Sequence, residues 1–194
     1  MPMDCRAFLE LRDEEKQLLD NLHLPPDGSI LDYGCGVGRH LKYLRQQYPK
    51  VECVGIDTCE LLRSHCSESI ALPSKFVEQW ADVETSKFDL IMLMGNGLGV
   101  LGDELNARQM LRKLADTLNP SGMLLIEAGN PFGSGYHSPR FTIKYREWTD
   151  GPFTWGYSDR AWLENEAKQA DLPVSFHRSS APGAGCFFAD IHGC

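Results

Sequence analysis

Residues 29–40 read Ser-Ile-Leu-Asp-Tyr-Gly-Cys-Gly-Val-Gly-Arg-His, and no other stretch constrains the fold so tightly. A short apolar run delivers an acid, Asp32, into a loop with glycine at every second position, and a helical pattern opens directly after it. Glycine reaches left-handed backbone conformations without a Cβ clash and lets a ligand come close to the main chain. The helix N-terminus that follows offers N–H groups with no intrahelical partner. Strand, glycine turn and helix start together make a ligand cradle at the C-terminal edge of a parallel sheet, where open α/β folds bind nucleoside cofactors. The spacing is Gly-x-Gly-x-Gly. In the dinucleotide fingerprint Gly-x-Gly-x-x-Gly, the third glycine would fall at Arg39.

The rest of the chain alternates between helical and strand-like patterns. Apolar positions at Phe8, Leu9, Leu11, Leu18, Leu19 and Leu22 predict a helix over residues 6–23, ended by Pro25, Pro26, Asp27 and Gly28. Strands are expected over 29–33, 51–56, 75–77, 88–94 and 123–127, with helices over 40–48, 59–69 and 103–118. The run FDLIMLM at 88–94 is nearly all apolar, as in a strand covered on both faces. Asn119 to Gly122 read as a turn. Residues 129–157 lose periodicity, fill with Gly, Pro and aromatics, and read as loops. A helix over 158–170, capped by Ser158, and strands over 173–176 and 186–191 complete the pattern. This alternation predicts an α/β fold, a doubly wound and mostly parallel sheet with helices on both faces. Nothing resembles a linker, so a single domain over 1–194 is expected, with 1–28 as N-terminal helix and cap.

Composition narrows the function. The formal net charge is -8 and no dense Lys/Arg run occurs, which argues against nucleic acid as partner. The seven cysteines are Cys5, Cys35, Cys53, Cys59, Cys66, Cys186 and Cys194, without a Cys-x-x-Cys pair. Cys35 and Cys53 lie in apolar runs, so reduced thiols and a cytoplasmic location are expected. The start, MPMDCRAFLELRDEEKQ, lacks the basic and apolar segments of a secretory leader. No run of about 18 apolar residues exists to span a membrane. His, Cys and acidic residues show no metal-ligand spacing beyond His192 and Cys194 at the C-terminus, so no metal is expected.

At ILDYGCGVGRH the chain resembles the first motif of class I S-adenosylmethionine-dependent methyltransferases, and VGID, ending at Asp57, resembles their second. FDLIMLMGNGLGVLG looks like their fourth strand and its loop, and LRKLADTLNPSGMLLIE like the helix, turn and strand that follow. GPFTWGYSDRAWLENEAKQADL is similar to the late part of some small bacterial members. The resemblance covers most of the chain. It implies a seven-stranded sheet with the last strand antiparallel, S-adenosyl-L-methionine as cofactor and S-adenosyl-L-homocysteine as product. It also implies methyl transfer by in-line displacement to an acceptor, taken here as a small molecule. The alternatives are a non-catalytic module that binds an adenosyl cofactor, or a nicotinamide-dependent oxidoreductase.

Candidate site residues follow. Asp32, Gly34, Cys35, Gly36 and Gly38 make the cofactor cradle. Asp57 stands roughly 20 residues past the loop, where a ribose-binding acid is expected. Either Trp80 stacks on the adenine or Asp82 reaches its amino group. Gly95 and Asn96 follow the fourth strand, where the resemblance places the methionine part of the cofactor, and Asn96 is available to donate to an oxygen. On the acceptor side, Tyr136, Arg140 and Trp155 are candidate binding residues in the 129–157 segment. Arg140 offers a fork for a carboxylate, and His137 is the candidate general base. The acceptor's identity and the oligomeric state are not set by the sequence.

Overall fold

The computed structural model describes residues 9–70, 74–178 and 186–192. Its early elements are α1 (Asp13–Asp20), β1 (Ser29–Tyr33), α2 (Arg39–Gln47), β2 (Glu52–Ile56), α3 (Glu60–Ser69), β3 (Ser74–Val77), β4 (Phe88–Leu93), α4 (Glu104–Asp116) and β5 (Leu118–Ala128). Then come β6 (Tyr136–His137), β7 (Arg140–Tyr145), β8 (Trp148–Thr154), β9 (Tyr157–Ser158), α5 (Arg160–Gln169), β10 (Val174–Arg178) and β11 (Phe187–His192). Two 3-10 turns, Trp80–Asp82 and Gly97–Leu101, follow β3 and β4.

Seven strands form one sheet in the order β10-β11-β5-β4-β1-β2-β3. β1 pairs parallel with both β2 and β4, and β2 with β3, whereas β11 runs antiparallel to β10. The mostly parallel α/β sheet with an antiparallel last strand is therefore as expected. The strand order reverses between β1 and β4, the position at which such sheets leave a crevice for ligands.

Contacts divide the chain into two compact units, residues 1–92 with 117–123, and residues 93–116 with 124–194. In the first, β1 and β2 bury Ile30, Leu31, Cys53 and Ile56, and α2 lays Leu41 and Leu44 on the sheet. Each such side chain contributes roughly 1.5–3 kcal/mol when fully buried. In the second, Leu98, Leu114, Leu125, Leu163 and Phe188 carry the same role.

Several expectations shift. The helix expected over residues 6–23 is interrupted, since Leu9 is helical, residues 10–12 are not, and α1 runs only from Asp13 to Asp20; residues 1–8 lie outside the described residues. Asp13, Glu14 and Glu15 crowd its first turn, where carboxylates favour the positive end of the helix dipole. The turn expected at Asn119 to Gly122 is absorbed into β5, with Ser121 held at a φ of 66°. Residues 129–157 are not loops throughout, because β6 pairs with β9 and β7 with β8 in two small antiparallel sheets. The last helix is capped by Asp159, whose carboxylate accepts from Trp162 N at 2.8 Å. Ser158 is instead a strand residue paired with Tyr136, and its buried hydroxyl has no hydrogen bond.

Candidate cofactor site

In the first unit the glycine loop is shaped by hydrogen bonds to its neighbours. Gly34 N and Cys35 N both donate to Ile56 O at 2.9 Å, and Gly38 N donates to Cys35 O at 2.8 Å. Gly36 N donates to Asp57 Oδ2 at 2.9 Å. The N–H groups of Gly34, Cys35 and Gly36 are thus committed to Ile56 and Asp57, and that of Gly38 is bonded within the loop. A pyrophosphate-binding loop needs those groups turned towards its ligand, so the geometry speaks against a dinucleotide. Gly36 has a φ of +54° and open space where a side chain would stand. Gly38, at φ +70°, packs so tightly that a Cβ would lie 2.6 Å from Ile70 Cδ1 and 2.9 Å from Cys66 Sγ.

The Asp57 carboxylate sits at the loop's mouth. Its Oδ1 accepts from Cys59 N at 2.8 Å and its Oδ2 from Gly36, which leaves further lone pairs for a ligand's hydroxyls. Trp80 is half-buried with its ring 6.4 Å from that of Tyr33. Asp82 is exposed, and its Oδ2 accepts from Gln79 N at 3.2 Å, closing the 3-10 turn. Cys35 keeps its side chain inside: a Cβ on Gly55 would meet its sulfur at 2.8 Å. Its hydrogen bond with Cys66 and its burial push its thiol up, so it is a packed thiol and only its backbone can line a ligand.

Behind the loop lies a buried charge cluster that sequence patterns did not reveal. Asp32 is 1% exposed and its Oδ2 has no hydrogen bond. His40 Nδ1 stands 3.6 Å from that oxygen, and His40 Nε2 lies 3.3 Å from Glu15 Oε1. Arg39 Nη2 meets the same Glu15 oxygen at 2.8 Å, and Arg12 N donates to Glu15 Oε2 at 2.7 Å. Burial alone would lower the pKa of His40, but the Asp32 and Glu15 carboxylates outweigh it and raise it. Burial alone would likewise raise Glu15, yet hydrogen bonds from His40 and Arg12 bring it down to about 2.

In the second unit, Asn96 takes a φ of 58° and its side chain serves as a brace. Its Nδ2 donates to Gly156 O at 3.3 Å and its Oδ1 accepts from Gly129 N at 3.2 Å. Gly95 N donates to Oε2 of the buried Glu127 at 2.8 Å. Tyr136 donates its hydroxyl to Gly102 O at 2.9 Å and stacks near Trp162, so its polar end is spent on the fold. Trp155 lies flat on Gly99, where a Cβ would fall 1.9 Å from its Nε1. Arg140 is exposed.

His137 is fixed by Asn130. Asn130 Oδ1 accepts from Phe132 N at 2.9 Å, so its Nδ2 is the amide donor. That Nδ2 reaches Gly135 O at 2.8 Å and His137 Nδ1 at 3.0 Å. The neutral His137 ring therefore accepts on Nδ1 and carries its proton on Nε2. The outward nitrogen is a donor, which suits holding an oxygen better than removing a proton. Phe132, Tyr157, Phe141 and Phe153 follow one another edge to face or tilted beside it, at 5.2, 6.3 and 6.1 Å.

A family model for a methyltransferase domain matches residues 3–172. The chain belongs to the class I S-adenosylmethionine-dependent methyltransferases. Solved members share its fold. A methyltransferase from Bacteroides fragilis in complex with S-adenosyl-L-homocysteine matches with a TM-score of 0.80 at 20% identity, over 99% of this chain and 83% of that one. CalS10 from Micromonospora echinaspora, an amino pentose methyltransferase with bound S-adenosylmethionine, matches at 0.65 and 18% identity, over 92% and 90%. The sugar N-methyltransferase KedS8 from Streptoalloteichus matches at 0.66 and 13% identity, over 98% and 89%. Ribosomal RNA small subunit methyltransferase C of Pasteurella multocida is 38% identical over 79 residues. That match spans 39% of this chain and about a quarter, 24%, of that relative.

S-adenosylmethionine, the cofactor of these methyltransferases, fits the residues at the loop. The open space at Gly36 leaves room for a ligand against the backbone, and the acceptor-rich Asp57 suits one with hydroxyl donors. Among the described residues no group of three or more His, Cys, Asp or Glu is placed to hold a metal ion. No helix among them is long and apolar enough to cross a membrane. Glu15, His40 and Glu127 escaped the sequence reading because partners of theirs lie far along the chain, and Asn130 because its neighbours sit in an irregular turn without periodicity. Only the Asp32-to-His40 spacing, one helix start apart, gave any signal.

Proposed function

We propose that this methyltransferase moves the methyl group of S-adenosylmethionine to a small-molecule acceptor in the cytoplasm, with neither nucleic acid nor membrane as substrate. The observation that carries the cofactor half is the glycine loop in which the N–H groups of Gly34, Cys35 and Gly36 are turned onto Ile56 and Asp57 while its Gly36 side stays open. In this reading Gly34, Gly36 and Gly38 line the adenosyl group, Asp57 accepts from the ribose hydroxyls and Trp80 covers the adenine. Asp32 faces the amino-acid end, and Gly95 and Asn96 act by shaping the loop after β4. The bound cofactor supplies a methyl carbon already made electrophilic by its sulfonium. The chain's own task is to align the acceptor and exclude water.

The acceptor half rests on the second unit. A wall of Phe132, Phe141, Phe153, Trp155 and Tyr157 beside one fixed N–H donor, His137, suits a small ligand with an apolar face and an oxygen to bind. Arg140, exposed, adds a site for a carboxylate. Tyr136 supports this wall from behind. The sugar acceptors named for CalS10 and KedS8, and the absence of a basic run, favour a small molecule over the ribosomal RNA of the shorter match. The test is ligand-dependent melting, followed by methyl transfer to a panel of amino sugars, phenols and carboxylic acids. S-adenosylhomocysteine at about 100 times its Kd should stabilise the fold by about 2.7 kcal/mol, and NAD should not. A shift with NAD and none with either adenosyl compound refutes the reading.

A further inference from the structure

We infer that His40 is a positioning residue of the cofactor site, a buried imidazolium that holds Asp32 from behind and ties it to the N-terminal helix through Glu15. The inference rests on the proposed adenosyl site and adds a residue to it. Asp32, in β1, is buried at the base of the glycine loop, and His40 is the second residue of the helix that leaves the loop. The two ring nitrogens of His40 face two different carboxylates, Nδ1 towards Asp32 Oδ2 at 3.6 Å and Nε2 towards Glu15 Oε1 at 3.3 Å. A neutral imidazole carries one N–H and one lone pair. In either tautomer, one nitrogen would set its lone pair against a carboxylate oxygen. Only the doubly protonated ring turns an N–H towards both, a hydrogen bond to Glu15 and a closely placed positive charge for Asp32.

Charge balance agrees. His40 is packed against Asp32 of β1 and Glu15 of α1, with Arg39 beside it on its own helix and Arg12 reaching Glu15 from the start of α1. Asp32, Glu15 and His40 are buried, and the half-buried guanidiniums of Arg39 and Arg12 both lie against Glu15, so the proton on His40 is the positive charge that faces Asp32. Without its proton, the guanidiniums of Arg39 and Arg12 both still face Glu15, while the buried Asp32 loses the cation beside it, and a buried charge without a partner is strongly disfavoured. Arg39 extends the tie, because its Nη1 also donates to Glu10 O at 2.8 Å, just before α1. The raised pKa of His40 has this geometry as its cause.

The consequence is a pH-dependent cofactor site. A group whose pKa is raised on folding stabilises the fold fully below its unfolded value, near 6.5, and loses that contribution as pH rises through the folded value. Loss of the proton should release Asp32 and loosen residues 9–20 together. Two measurements on the full chain decide this. In the ligand-free protein, nitrogen-detected NMR of His40 should show both ring nitrogens protonated at pH 6.5, and Glu15→Gln should move the titration to lower pH. Titration of S-adenosylhomocysteine should then show a Kd that rises at least tenfold as His40 deprotonates. His40→Gln, checked for folding by circular dichroism, should bind about tenfold more weakly at pH 6.5, with no pH dependence across that window, and converge with the wild type at high pH. A neutral His40 ring at pH 6.5 overturns the inference. So does His40→Gln with the wild-type Kd and the wild-type pH profile. A wild-type protein that binds no S-adenosylhomocysteine at any pH overturns the adenosyl site itself, and the NMR titration tells the two failures apart.

Discussion

Gly36 and Gly38 stand two residues apart and both hold positive φ, yet they should fail differently. Alanine at Gly36 meets open space and carries only the left-handed backbone cost, roughly 1–2 kcal/mol. Its methyl group would stand where the proposed cofactor lies. Gly36→Ala should therefore fold, with a Tm lower by a few degrees, and lose most S-adenosylhomocysteine binding. Alanine at Gly38 adds an overlap with Ile70 and Cys66, about 1–3 kcal/mol of overpacking on top of the same strain. Gly38→Ala should lose more Tm than Gly36→Ala in parallel melts, and equal losses would show that the loop relaxes freely. Asp57 has a double role. Asp57→Ala frees Gly36 N and Cys59 N as well as the proposed ribose contacts. We expect the S-adenosylhomocysteine Kd to rise roughly 30- to 1000-fold, about 2–4 kcal/mol, with a measurable drop in Tm. Asp57→Asn should fall between, because its amide can accept at only one of its two ends. Calorimetric titration checks this, and a folded Asp57→Ala binding within about threefold of wild type would move the ribose elsewhere.

At the scale of elements, the second unit is fastened by single polar residues at the ends of short strands and helices. Asp159 does two jobs, accepting from Trp162 N with Oδ1 and from Gly135 N with Oδ2, each at 2.8 Å. It thereby caps α5 and anchors the approach to β6. Asp159→Ala should destabilise by about 1–2 kcal/mol for the cap and somewhat more for the freed Gly135 N–H. Ser158→Ala should cost little or even stabilise, since the hydroxyl it removes is buried without a partner. Chemical denaturation of both variants checks the contrast. A Ser158→Ala loss as large as that of Asp159→Ala would restore serine as the cap.

For the whole molecule, charge sets two expectations. The net charge of -8 opposes phosphate backbones, so binding to duplex DNA or structured RNA at moderate salt should be on the order of 10⁻⁴ to 10⁻⁶ M or weaker. A nanomolar complex in a gel-shift titration would show that the acceptor is RNA. Global stability should also carry the mark of Glu15. Its pKa of about 2 lies below the unfolded value of 4.5, so its contribution is present above pH 4.5 and fades as pH falls towards 2. That difference corresponds to a few kcal/mol, on the order of 3. Glu15→Gln should lower the Tm at neutral pH, and its deficit should shrink progressively in acid. A deficit constant from pH 7 to pH 3 would mean that Glu15 acts by shape and not by charge.

The α/β class, β1 and β4, the glycine turn after β1 and the place of Asp57 at the end of β2 were legible in the sequence, because each is coded by neighbours in the chain. An apolar run, alternate glycines and an acid at the end of a strand act through local backbone geometry and hydrophobic periodicity, and residues 29–33 kept their expected bounds. What the chain order could not reveal were contacts between distant residues. The β6–β9 pairing hides because two-residue strands hardly have a period, whereas β7 alternates Phe141, Ile143 and Tyr145, a strand signal that the Gly- and Pro-rich surroundings masked. The tautomer of His137 depends on Asn130, whose orientation depends in turn on two backbone groups. The buried cluster joins Glu15, Asp32 and His40 across 25 positions of sequence separation. Local patterning fixes where the chain bends and which face is apolar. Only tertiary structure decides which charges meet out of water, and there a few tenths of an ångström set their protonation.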